Sequence, residues 1–297
     1  MRNKTYGVVG LGLIGGSFAL ALRENAIAAP SRILALDVNK AALEQAEESG
    51  AIGKGYSPGS EAQMLSLCDL VFICLYPGQT IDFLKSQKDN FKKGSIVVDV
   101  SGVKTALEEN RRSFSPHPRF DFISVHPMAG GEKEGFLHAK ASVFKGRNCL
   151  LIPSPENKPQ NIAFIKDLMR QTGFARVIET SAAVHDGKIA FTSQLCHVIA
   201  AALVDGAEDE RITEFGGGSF EDLTRIAMIN APLWTELFLS NKTYLVKSIE
   251  TFEKSLSSIK KMLVEDQREA LVKKLSGVRE KRIAMSRSIY PESRSSV

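Results

Sequence analysis

Thr5-Tyr6-Gly7-Val8-Val9-Gly10-Leu11-Gly12-Leu13-Ile14-Gly15 is the stretch from which the first half of this chain can be read. Thr5–Val9 is β-rich and predicts a strand. Gly10, Gly12 and Gly15 stand in GxGxxG spacing, and Leu13–Glu24 predicts the helix that such a motif must open. Each glycine then has a task. Gly10 permits the tight turn, Gly12 lets a pyrophosphate approach the backbone, and Gly15 lets the helix pack close on the strand. The first helical N–H groups, at Leu13 and Ile14, sit at the positive end of the helix dipole and attract phosphate. Asp37 ends the second predicted strand, Arg32–Leu36, 22 residues after Gly15. A carboxylate there accepts hydrogen bonds from ribose hydroxyls and repels a 2′-phosphate. Val38 and Asn39 follow with no Arg. NAD is the expected cofactor, in preference to NADP.

Outward from this motif, strands keep alternating with helices. Lys40–Ser49 predicts a helix, and Leu70–Leu75, Ser95–Val100, Phe122–Val125, Asn148–Ile152 and Ala175–Glu179 predict strands. That order implies right-handed crossovers and a Rossmann-type, doubly wound, mostly parallel sheet. From about Ser181 the pattern is helical: Ser193–Leu203, Phe220–Ile229, a nearly continuous Leu233–Leu263 and a polar Glu265–Ser288. Two domains are expected, a NAD-binding domain at 1–180 and an all-α substrate-binding and dimerisation domain at 181–297.

Composition excludes several classes. The 297 residues are 43% hydrophobic and 24% charged, which is globular and neither disordered nor collagen-like. The +4 charge is concentrated at the end of the chain. Residues 260–297 carry ten Lys/Arg against five Asp/Glu, so the remainder is close to neutral. A basic helical tail reads as a solvated face, and no nucleic-acid or membrane partner is expected. The longest apolar runs, such as Leu70–Tyr76, are too short to cross a bilayer. Arg2 and Lys4 before an apolar stretch mimic a signal peptide, but the glycines that follow would break its helix. Cys68, Cys74, Cys149 and Cys196 form no CxxC pair, and the histidines lack zinc spacing. A cytoplasmic protein without a metal is expected.

Val125-His126-Pro127-Met128-Ala129-Gly130-Gly131-Glu132 places a histidine at a strand end beside glycine-rich backbone. In open α/β sheets that edge holds ligands, and His is the commonest positioned acid or base. Gly7–Leu22, which many dehydrogenases share, and Val125–Ala139 (VHPMAGGEKEGFLHA), His185–Leu203 (HDGKIAFTSQLCHVIAAAL) and Gly216–Ala227 (GGGSFEDLTRIA) with Trp234 resemble, in this order and spacing, the prephenate dehydrogenase family. The likeness runs through about residue 265.

The resemblance implies an NAD-dependent oxidative decarboxylation in tyrosine biosynthesis. Hydride leaves C4 of prephenate as the ring carboxylate departs, giving 4-hydroxyphenylpyruvate. It implies that His126 is the base at the C4 hydroxyl and that Arg225 holds a carboxylate with its guanidinium fork. It also implies that His197 lies by the substrate side chain, with Ser193, that Glu132 and Asp222 organise the site, and that Trp234 forms an aromatic wall. A homodimer is expected through the second domain. Arg225 could instead pair with Asp222 or Glu221 at helical spacing, and Trp234 could be core packing. His185, beside Asp186 at a helix start, reads as capping or structural.

The chain departs from the family pattern in three places. Gln194 replaces a His, Gly131 replaces a Thr, and Ser101-Gly102 reverses a Gly-Ser, which displaces the Ser101 hydroxyl by one position. Ser101 is still expected at the catalytic centre, near His126 or the nicotinamide, and Gln194 among the substrate-binding residues. These changes bear on the choice between prephenate and arogenate. A reading of another class is a non-catalytic NAD sensor, which would not need both His126 and Arg225.

Overall fold

The computed structural model describes residues 3–117, 119–131 and 133–289. The described residues form eight strands: β1 Tyr6–Val9, β2 Ile33–Leu36, β3 Lys54–Tyr56, β4 Leu70–Ile73, β5 Ser95–Asp99, β6 Phe120–Pro127, β7 Asn148–Ile152 and β8 Arg176–Glu179. They form one sheet in the order β3-β2-β1-β4-β5-β6-β7-β8. Neighbours run parallel except β6 and β7, which are antiparallel. Every residue of β1, β2, β4 and β5 is buried, which is why these strands read as unbroken apolar runs.

The helices are α1 Leu13–Glu24, α2 Lys40–Glu48, α3 Glu61–Leu65, α4 Pro77–Gln87, α5 Thr105–Asn110 and α6 Pro159–Gln171. There follow α7 Ala182–Ile189, α8 Leu195–Asp205, α9 Gly218–Thr224, α10 Ala231–Ser240, α11 Lys242–Val264 and α12 Arg268–Ile289. The fold is the doubly wound α/β sheet followed by helices that the sequence predicts. Two apolar clusters cover the two faces of the sheet. On one face Phe18 stacks on Phe72 at 4.4 Å and meets Phe144 at 4.5 Å, locking α1 to β4. Strand order reverses between β1 and β4, so a crevice opens beyond their carboxyl ends.

By packing, the chain divides into two compact units, Met1–Leu245 and Val246–Val297. The second consists of the rest of α11 and α12, joined by a turn in which Asp266 takes φ 50°. Within it Lys274 Nζ donates to Ser258 Oγ at 3.2 Å.

Three local differences from the expected helices matter to the site. The helix expected to begin at Ser193 begins at Ala182 and continues through a wider π turn at Ala190–Gln194. The resulting run Ala182–Asp205 is long and apolar enough to cross a bilayer on length and composition. In the fold it carries buried His185 and Asp186 and lines the crevice. The near-continuous helix expected at Leu233–Leu263 is broken at Asn241, whose buried side-chain amide donates inward, to Asp186 O and Gln194 Oε1. The helix expected at Phe220–Ile229 ends at Thr224 and tightens into a 3₁₀ turn at Arg225–Ala227, since Asn230 caps α10 and Pro232 sits in its first turn.

Candidate active site

The glycine loop is shaped as its spacing predicts. Gly10 has φ +88°, and a Cβ there would lie 2.6 Å from Cys74 O. A Cβ at Gly15 would meet Gly10 O, so only glycine lets α1 sit this close to β1. At Gly12 a Cβ would meet nothing within 4 Å. The backbone there borders open space at the uncapped start of α1, a cradle that fits a pyrophosphate. Asp37 accepts from Leu11 N–H at 2.5 Å and from Asn39 N–H at 2.7 Å. Its carboxylate thus fixes the loop and keeps lone pairs for ribose hydroxyls.

An open cavity of about 670 Å³ extends from this loop. It brings together Gly12, Leu13, Ile14, Gly15, Ser101, His126, Ser193, Gln194, His197, Arg225 and Trp234. Gly10 and Asp37 support the loop from behind, outside the lining. Asp222 is exposed on α9 and is not part of the lining. Glu132 lies outside the described residues.

His126 stands near the end of β6 with its ring half-buried. Its Nδ1 is 2.8 Å from His185 Nε2, and His185 Nδ1 is 2.6 Å from Asp186 Oδ1. Asp186 also accepts from Lys104 N–H at 3.0 Å and Thr105 N–H at 2.7 Å. Beneath this row, Lys104 Nζ reaches Asp99 at 2.5 Å and Val125 O at 2.7 Å, with the ion pair fully buried. Burial first, then the charges of His185 and Lys104, push the His126 pKa well below the histidine range. Burial also lowers His185, against the pull of Asp186. Burial alone would raise the Asp186 carboxyl, but hydrogen bonds from His185 and Thr105 outweigh it and hold the group below the usual carboxylate range. The reading of His185 as a cap is corrected here, because Ser181 caps α7 and the His185 ring reaches His126.

The opposite wall comes from the helices. His185, Ile189, Ser193 and His197 recur every four residues, and an α-helix would rotate such a row by about 40° per step. The π turn winds back part of that drift, and Ile189, Ser193 and His197 all line the cavity. His197 Nδ1 donates to Ser193 O at 3.0 Å, and its ring stacks on Trp234 at 3.6 Å. Burial lowers its pKa, partly offset by that carbonyl. Gln194 is buried, with Nε2 donating to Leu237 O at 2.9 Å and Oε1 accepting from Asn241 at 2.7 Å. Ser101 Oγ donates to Val103 O at 3.1 Å, the local consequence of the reversed Ser-Gly order.

The model of the prephenate dehydrogenase nucleotide-binding domain matches residues 18–179, and that of its dimerization domain matches 181–277. The chain belongs to the prephenate dehydrogenase family. It is 27% identical over 270 residues to prephenate dehydrogenase of Bacillus subtilis, covering 89% of this chain and 71% of that one. Prephenate dehydrogenase from A. aeolicus, solved with hydroxyphenyl propionate and NAD+, superposes with a TM-score of 0.85 at 28% identity, covering 96% and 99% of the two chains. Synechocystis arogenate dehydrogenase superposes with a TM-score of 0.77 at 25% identity, covering 95% and 99%.

The protein is therefore an NAD-dependent oxidoreductase, and membership in a family of enzymes sets the sensor reading aside. The enzyme's cavity also explains where anion attraction resides. Among the described residues, Lys133, Arg147 and Arg225 line it beside Glu134, so the cations that would attract an anion are local to the cavity.

Proposed function

We propose that the enzyme oxidises prephenate to 4-hydroxyphenylpyruvate and carbon dioxide, as a step of tyrosine biosynthesis. The arrangement that supports this reading is one cavity holding the Gly12 loop, His126 and Arg225. Bound NAD supplies the hydride acceptor. Gly10, Gly12, Gly15 and the N–H groups of Leu13 and Ile14 seat its pyrophosphate, and Asp37 takes the adenosine ribose. His126 Nε2 accepts the hydrogen bond of the C4 hydroxyl and carries its proton while hydride leaves C4. The ring carboxylate then departs as carbon dioxide, its electrons complete the aromatic ring, and the proton returns to the phenol oxygen. Arg225 binds a substrate carboxylate, and His197 and Trp234 border the side chain, with Ser193 beside them. Ser101 and Gln194 belong to the lining, Gln194 bracing Leu237 and Asn241, while the organising role of Asp222, which lies outside the lining, and of Glu132 rests on the family resemblance alone. A positioned base of this kind contributes about 10²–10⁴-fold.

One observation favours arogenate as a second substrate. Because Nδ1–H of His197 is committed to Ser193 O, the neutral ring offers a lone pair at Nε2, which suits an amino donor. Initial rates of NADH formation with each substrate in turn test the reading. A higher kcat/KM with prephenate supports it, a higher value with arogenate replaces the substrate, and no NADH with either rejects it.

We also hold to a functional division near residue 180, to a homodimer built through the helical part, and to a reducing cytoplasmic setting for the four free cysteines.

A further inference from the structure

We propose that His185 and Asp186 are positioning residues that fix which nitrogen of His126 carries the proton, leaving Nε2 bare toward the substrate hydroxyl. The proposal deepens the reading above and rests on it for the identity of the substrate.

The direction of each hydrogen bond follows from its neighbour. Backbone N–H groups only donate, and those of Lys104 and Thr105 point at the fully buried Asp186 carboxylate. Asp186 is thereby held as an acceptor, so His185 Nδ1, 2.6 Å away, brings the proton. A neutral imidazole has one N–H, so His185 Nε2 is bare and accepts from His126 Nδ1–H across 2.8 Å. The same rule leaves His126 Nε2 without a proton. That atom faces Gly102, where a Cβ would stand 3.8 Å from it. With no side chain at 102, the lone pair opens on the cavity.

The opposite tautomer would point an N–H at the substrate and could not take its proton. Once Nε2 is protonated, the His126 cation keeps its Nδ1–H bond to His185, backed by the Asp186 carboxylate. Asp186 also anchors the start of α5 through Lys104 and Thr105 N–H. His185 has no such second duty: its ring is 1% exposed and its ring bonds run to His126 and Asp186.

The test uses His185→Leu and His185→Gln in the full-length enzyme. Leu fills the space without bonding. Gln can accept from His126 with its oxygen and donate to Asp186 with its nitrogen, in one orientation only. His185→Leu should lower kcat by about 10²-fold or more with KM changed by less than about threefold, and Gln should restore at least about tenfold of that loss. In 15N-histidine-labelled wild-type protein, His126 should show a protonated Nδ1 and a bare Nε2, and the pattern should change in the Leu variant. A kcat for His185→Leu within about threefold of wild type overturns the proposal, as does equal activity of Leu and Gln or a protonated Nε2 in neutral wild type. If wild-type enzyme oxidises neither substrate, the functional reading fails, while the nitrogen spectrum still decides the positioning role.

Discussion

His126 can take a proton only while its ring is neutral, and its surroundings keep it so. Burial and the positive field of Lys104 disfavour the imidazolium before substrate arrives. A depressed pKa means the base form persists below the usual histidine value of about 6.5. The acid limb of kcat/KM should therefore lie below about pH 6.5, with activity falling as pH drops through it. A limb at or above pH 7 that disappears in His126→Asn would contradict this environment. His126 itself was legible, because a strand-end histidine beside Gly130-Gly131 is a local pattern. Its partner was not. His185 lies 59 residues away on another element, and the His185-Asp186 pair, read alone, looks like a helix start. A buried His-Asp pair without a capping role is the signal that could have found it.

At the scale of elements, β5, β6 and α5 are tied beneath the site by one buried ion pair. Asp99 receives Lys104 Nζ at 2.5 Å, Ser124 Oγ at 2.6 Å and Ser101 N–H at 2.9 Å. Removing the cation alone leaves a buried carboxylate without its charge partner. Lys104→Met should cost about 3–5 kcal/mol, read from urea unfolding. A loss under about 1 kcal/mol would mean that water or another donor replaces Lys104. The sheet strands were readable because buried parallel strands are continuous apolar runs. The helices of the second half were less so. Asn241 reads as an ordinary polar helix residue until its buried amide is seen holding Gln194 and Asp186. The π turn leaves no local mark in Ala190–Gln194, since only the row His185, Ile189, Ser193, His197 shows what it aligns.

Across the whole molecule, the net charge of +4 and the anion chemistry have different sources. The charge comes from residues 260–297, whereas the cavity's cations lie between Lys133 and Arg225. In the compact unit Val246–Val297, Leu256, Leu263, Val264, Val272, Leu275 and Val278 are exposed, more apolar surface than a polar tail helix suggests. Residues 181–277 match a dimerization domain, and a second copy of the chain would cover such surface. Sedimentation at micromolar concentration should give twice the 32.4 kDa chain mass, and a monomer there would contradict the homodimer.

The central claim, that this cavity couples hydride transfer to loss of the ring carboxylate, is tested most directly by product stoichiometry. Wild-type enzyme with NAD and prephenate should release one NADH and one carbon dioxide for each prephenate consumed. NADH formed without carbon dioxide, or prephenate left unoxidised, would contradict it.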